Sequence, residues 1–335
     1  MPMSSHNFLI QATRASPPGY AHDDEERRAI YGAALAQFDE LISAAAAVGP
    51  ASRPLPLFYA LSQAGRAISA AHATGLWALG SHGLEAPELD QPLLEVKVKR
   101  HTAVSEEDRW VDSVTGVADA TKGEVFAKGV TIGAVWASLP ELFDLLPAAV
   151  NTPTPLTLVP YTETLNSPLF DGHNLHATVV FEGSLEQLVA HLAQYFPTCA
   201  AANVFDPFPG QPILPYHTTC GPGYRFWWPI GVDSPTVHNH VGLLHRIASG
   251  GTRFEPRWLR PSVGGVELSI LLSWWVLLYG LSMLARYEPA RWTTELDLDS
   301  SDIAAPLAEL LEIGLDRVPE LVLEALGNSA QRSAE

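Results

Sequence analysis

Two groups of residues carry types and spacings suited to chemistry. The first lies within residues 217–261, where Arg225, Arg246, Arg253, Arg257 and Arg260 face only Asp233 and Glu255, a local +3 in a chain of −17. Phe226, Trp227, Trp228, Phe254 and Trp258 interleave with them. Guanidinium groups pair with phosphate or carboxylate, and exposed rings stack on bases. Arg225, Arg253, Arg257, Trp258 and Arg260 are therefore candidate ligand-binding residues. The same composition also builds a structural segment, in which Trp rings fill a core and Arg pairs with acidic neighbours. The second group is a single residue, His82, standing before Gly83 in a turn. A histidine on a turn titrates near neutral pH and reaches a ligand. Its alternative role is to fix the turn by bonding a local carbonyl, with Gly83 supplying positive φ.

Other chemistries fail on spacing. His173 and His176 are three apart, His238 and His240 two apart, and His245 follows. Zinc needs three or four ligands of defined geometry, and no His-Glu-x-x-His helix or matched carboxylate motif accompanies these histidines. No metal and no cofactor is expected. Gly280-Leu-Ser282 lacks the second glycine of a nucleophile elbow, Gly221-Pro-Gly223 lacks the third glycine of a dinucleotide fingerprint, and no Walker A sequence exists. Cys199 and Cys220 are too few for a disulfide framework, so a reducing interior is the expectation.

These residues need elements to hold them. The chain has 335 residues, 47% apolar and 17% charged, which excludes wholesale disorder. A charge of −17 excludes an indiscriminate polyanion binder. Residues 1–22 read as a loose arm without a secretion signal. Asp23 and Glu26 cap a first helix ending at Gly49-Pro50, and Pro54 opens a second that runs to about Thr74, making a hairpin. Leu94, Val96 and Val98 alternate with charged residues as a strand does. Val125–Ile132, Leu156–Val159 and His176–Phe181 give further strands. Ser138–Glu141 reads as a capping box opening a helix, and Ser184 with Gln187 opens another that ends before Pro197. Residues 197–235 hold eight prolines and read as a pinned loop. Helices are expected at about 263–286, 301–314 and 318–326. Leu268–Ala285 carries no charge over eighteen residues, and is read as a buried helix in preference to a membrane span. The fold class is α+β, predominantly α-helical with a small central β-sheet.

Three phrases resemble a known family. Gly49-Pro-Ala-Ser-Arg-Pro-Leu-Pro-Leu-Phe-Tyr-Ala-Leu-Ser-Gln-Ala-Gly-Arg-Ala-Ile68, Ser81-His-Gly-Leu84, and Leu281-Ser-Met-Leu-Ala-Arg-Tyr287 with Pro289 and Trp292 are similar to signatures of the bacterial YaaC-like proteins. The resemblance implies a soluble bacterial protein, with residues 23–330 as the family's domain. The pattern along the chain divides it into 23–90, 91–196, 197–262 and 263–330, folding as one cooperative unit or as two closely packed subdomains. The cysteine usage gives a cytoplasmic setting. The resemblance brings no catalytic residues, because the family is largely uncharacterised. Arg66 and His72 are also similar to the Arg-x4-6-His element of the HEPN ribonucleases. That resemblance implies metal-independent RNA cleavage in a homodimer, with histidine moving a proton and arginine neutralising phosphate. Six residues turn a helix by about 600°, leaving the two side chains about 120° apart, so they would meet only across a dimer. The expected function is a binding or interaction module for a small anionic ligand, nucleic acid or protein partner, without a membrane role. The ribonuclease is the alternative.

Overall fold

The structure is a computed structural model, and it describes residues 5–147, 152–160, 174–197, 203–204, 216–218, 221–229 and 257–327. The chain divides into two compact units. The first comprises Met1–Trp136, Asp144–Asn151 and Gly264–Glu335, and the second Ala137–Phe143 and Thr152–Val263. The fold is α+β and helix-dominated.

In the first unit the leading segment is helical, where the sequence reads as a loose arm. It forms α1 (Ser5–Ala15) and α2 (Tyr20–Asp23). Ile10 is buried, and the Tyr31 hydroxyl donates to the Thr13 carbonyl at 3.3 Å, so tertiary contacts order a segment that composition leaves undecided. α3 (Glu25–Ala47) is capped one residue later than expected: the Asp24 carboxylate accepts from the Glu26 and Arg27 amides. α4 (Pro54–His72) follows as the second arm of a helical hairpin, with proline in its first turn.

α4 is buried on most of its circumference, because α3, α5 (Ser113–Thr121), α8 (Ile270–Tyr287) and α10 (Ala304–Gly327) all pack on it. Its small residues make that possible. A Cβ on Gly65 would lie 2.3 Å from the Trp275 ring, so α8 approaches closely only because glycine stands there. α8 opens after a turn in which Gly264 and Gly265 take positive φ, and the Ser269 hydroxyl caps it by accepting from the Leu272 amide at 3.3 Å. It is long and apolar enough to cross a membrane, yet 78% of it is buried inside the fold. α9 (Pro289–Glu295) succeeds it. α10 runs unbroken where two helices are expected from the sequence. Pro319 lies inside it and is buried with Val318, so packing on that face offsets the lost backbone bond.

Short strands complete this unit. β1 (Ala78–Ser81) pairs in parallel with β5 (Trp110–Asp112), and β4 (Val104–Ser105) pairs antiparallel with β5. β2 (Leu84–Glu85) pairs with β3 (Lys97–Arg100), and β3 with β6 (Val130–Thr131). β3 starts later than the alternation implies, since Leu93–Glu95 is a turn of 3-10 helix. α6 (Ile132–Ala137) follows β6 directly.

The second unit is built on one sheet in the order β10-β11-β8-β7-β12, with β9 also on β11. Its strands are β7 (Leu156–Pro160), β8 (Asn174–Val180), β9 (Asn203–Val204), β10 (Tyr216–Thr218), β11 (Gly221–Pro229) and β12 (Arg257–Leu259). β11 overturns the reading of residues 197–235 as loop. Its prolines stand at the second and last positions, where a missing N–H interrupts the ladder least. α7 (Leu185–Tyr195) begins with the expected capping box of Ser184 and Gln187. No α-helix follows Ser138, and only a 3-10 turn forms at Phe143–Leu145. The Ser138 carbonyl and hydroxyl are engaged by Arg260, at 3.0 and 3.4 Å, in place of a cap.

Candidate anion site at His82

β1 leaves α4 and ends in the turn Ser81–Leu84, and the surrounding bonds hold that turn in one shape. The Ser113 hydroxyl donates to the Ser81 carbonyl at 2.7 Å, and the His101 amide donates to the Gly83 carbonyl at 2.9 Å. The Tyr279 hydroxyl donates to the Leu84 carbonyl at 2.9 Å, tying α8 to β2. Gly83 has φ +74°, and a Cβ there would lie 2.1 Å from the Asp112 carboxylate. Asp112 is fully buried. It caps α5 by accepting from the Thr115 amide (2.9 Å) and hydroxyl (2.7 Å), and it also accepts from the Ala103 amide (3.3 Å). No other residue type than glycine fits between that carboxylate and the turn without strain.

His82 is thereby placed on the surface with its ring against an aromatic wall. Its centroid lies 5.3 Å from Phe58 and 6.4 Å from Tyr279, while the residue stays exposed to solvent. Partial desolvation lowers its pKa from the usual histidine value, and the positive charges of Arg66 and Arg286 lower it further. Both arginines are free to act on an anion. Arg66 donates to the Leu79 carbonyl at 2.8 Å, Arg286 to the Tyr59 hydroxyl at 3.2 Å, and neither has a carboxylate partner among the described residues. Arg27, Arg53, Arg291 and Arg317 each do, through Asp24, Glu312, Glu295 and Glu320. Arg14, Arg28, Arg100 and Arg109 also lack a carboxylate partner among the described residues, so what distinguishes this place is that two such arginines act on one exposed histidine. An oxyanion there would receive charge-assisted bonds, and its negative charge would favour imidazolium over imidazole.

The other candidates fall elsewhere. His72 ends α4 and is 9% exposed, with Nε2 3.2 Å from the Leu326 carbonyl. Burial lowers its pKa to about 4, so it stands as a neutral donor at pH 7. Arg66, which the sequence pairs with it, instead faces β1 and the His82 turn. Arg225 is half-buried on β11 and Trp258 half-buried on β12, which also carries Arg257. Those two strands are separated by β8 and β7, three inter-strand steps or roughly 14 Å. Arg260 is 4% exposed and spends its guanidinium on Ser138. Arg246, Arg253, Cys199, Cys220, His173, His238, His240 and His245 lie outside the described residues. Among those described, no three His, Cys, Asp or Glu side chains are grouped to hold a metal.

One open cleft of about 410 Å³ lies in the second unit, lined by Phe181, Glu182, Gln187, His191 and Tyr195 among others. Gln187 is committed to the capping box, and burial holds His191 toward its neutral form. The cleft offers an anion no cation. The sequence pointed to His82, but missed Arg286, Phe58 and Tyr279. Phe58 and Arg286 lie within the phrases that carry the family resemblance, but no sequence signal says that those phrases meet.

Comparison with curated proteins finds no match, and comparison with solved structures finds none. A family model does match, over residues 6–326, and its description is YaaC-like Protein. The three phrases that carry the resemblance are those that meet at the His82 turn: α4, the turn itself, and the end of α8. With nearly its whole length matched, the chain belongs to the YaaC-like protein family.

Proposed function

We propose that this protein is a cytoplasmic binding module for a small anionic ligand, held at the His82 turn by Arg66, Arg286 and the imidazole. The observation that carries the reading is the pair of arginines without carboxylate partners flanking an exposed histidine on a rigid turn. The cytoplasmic placement is supported by the low cysteine count and by the burial of α8 within the fold.

Inorganic phosphate titrated calorimetrically into the full chain tests this. Wild type binds, and Arg286→Ala weakens binding by about five- to tenfold, the worth of one exposed charge-assisted bond. The effect shrinks as salt rises, because the pair is screened. No heat of binding in wild type, or equal affinity in the variant, contradicts the proposal. The competing reading, a metal-independent ribonuclease using Arg66 and His72 across a homodimer, enters as an outcome of the same preparation. RNA cleavage by wild type that is lost in an Arg66→Ala, His72→Ala double variant would displace the binding reading. It would require His72, 9% exposed here, to reach a phosphodiester.

A further inference from the structure

We infer that the ligand of the His82 site is an oxyanion attached to a planar aromatic ring, with Tyr287 as the platform for the ring. This rests on the anion-binding reading and adds a second point of recognition. Phe58 and Tyr279 are packed, at 1% and 5% exposure, but Tyr287 is 57% exposed at the end of α8. The Arg286 guanidinium lies 5.1 Å from the Tyr287 ring centroid, and it also bears on the His82 imidazole. Arg286 also donates to the Tyr59 hydroxyl at 3.2 Å, the Tyr59 ring lies 5.8 Å from Phe58, and Phe58 lies 5.3 Å from the His82 ring. The open ring and the anion-binding groups thus belong to one surface.

Charge explains why the ring is needed. Glu85 acts on Tyr279, is exposed, and lies 3.9 Å from the His101 ring, while Glu288 directly follows Tyr287. The Glu85 carboxylate near these basic groups leaves a bare oxyanion only modestly attracted. Stacking is indifferent to those charges, and an aromatic face against tyrosine adds affinity that a free anion does not have.

Phenyl phosphate and inorganic phosphate, titrated separately into the full chain, read this out. Phenyl phosphate binds about tenfold more tightly in wild type, within the range for one stacked ring. Tyr287→Ala weakens phenyl phosphate about tenfold more than it weakens inorganic phosphate, so the advantage disappears, and Tyr287→Phe restores it. The side chain is exposed, so these variants fold. Equal affinities for the two probes in wild type overturn the inference while leaving the anion reading intact. An equal loss of both probes in Tyr287→Ala overturns it as well. If neither probe binds, both readings fall.

Discussion

His72 and His82 are ten residues apart and show how placement decides what an imidazole does. His72 is enclosed at the junction of α4 and α10, with Nδ1 facing Gly19 and Nε2 donating to Leu326. Its pKa falls from 6.5 to about 4 because burial penalises the charged ring. The unfolded chain therefore takes up the proton more readily than the folded one. Stability from this residue is full above pH 6.5 and is lost as pH falls from there toward 4, by roughly 3 kcal/mol in all. Urea unfolding at pH 7.5 and pH 5 checks this. His72→Gln, which keeps a donor but no titrating group, should lose less stability in acid than wild type. Identical acid dependence in the two proteins would assign the loss elsewhere. His82, with the same unperturbed chemistry, keeps a face in solvent and two unpaired guanidinium groups beside it, and so is available to a ligand.

At the scale of elements, the site depends on the α3–α4 hairpin being held against α8 and α10. Arg53 is the principal clasp. Its side chain is 7% exposed, donates to the Ala45 carbonyl at 3.1 Å and the Val48 carbonyl at 3.0 Å, and pairs with Glu312 on α10. Nearby, the Trp292 indole donates to the Ala51 carbonyl at 2.9 Å, bringing α9 to the same corner. Removing Arg53 leaves two carbonyls and a carboxylate without their donor. Glu312 is 56% exposed and is solvated once the partner goes. Arg53→Ala should therefore cost about 2 kcal/mol in chemical denaturation, from the two carbonyls left without their donor. A loss below about 0.5 kcal/mol, the scale of an ordinary surface pair, would show that the clasp contributes little.

The hairpin, the apolar α8 and the capping box of α7 were legible in the sequence because their signals are local: periodicity, Pro54, Gly49, and Ser184 with Gln187. The failures were non-local. Ser138 has a capping-box pattern, but Arg260, distant in sequence, takes its carbonyl. Pro222 and Pro229 read as loop, yet a nine-residue strand runs across them once β8 supplies a partner. Pro319 reads as a helix break, and burial of its face carries α10 through. His82 was readable from its turn and glycine. Arg286 and Tyr287 were not, since nothing within α8 says that its end lies beside residues 82–85.

For the molecule as a whole, a charge of −17 coexists with a local basic cluster because the fold brings Arg66 from α4 and Arg286 from α8 to the His82 turn. Asp24, Glu312, Glu295 and Glu320 pair with arginines away from the turn. The central claim is that an anion engages His82 directly. The imidazole resonances of the full-length protein, followed by NMR from pH 8 to pH 5 with and without inorganic phosphate, test it most directly. A bound anion favours imidazolium, so phosphate should raise the His82 pKa from its lowered value. The enclosed His72 should be unaffected. A His82 titration that phosphate leaves unchanged, at concentrations where calorimetry shows binding, would contradict the account and place the anion elsewhere on the protein.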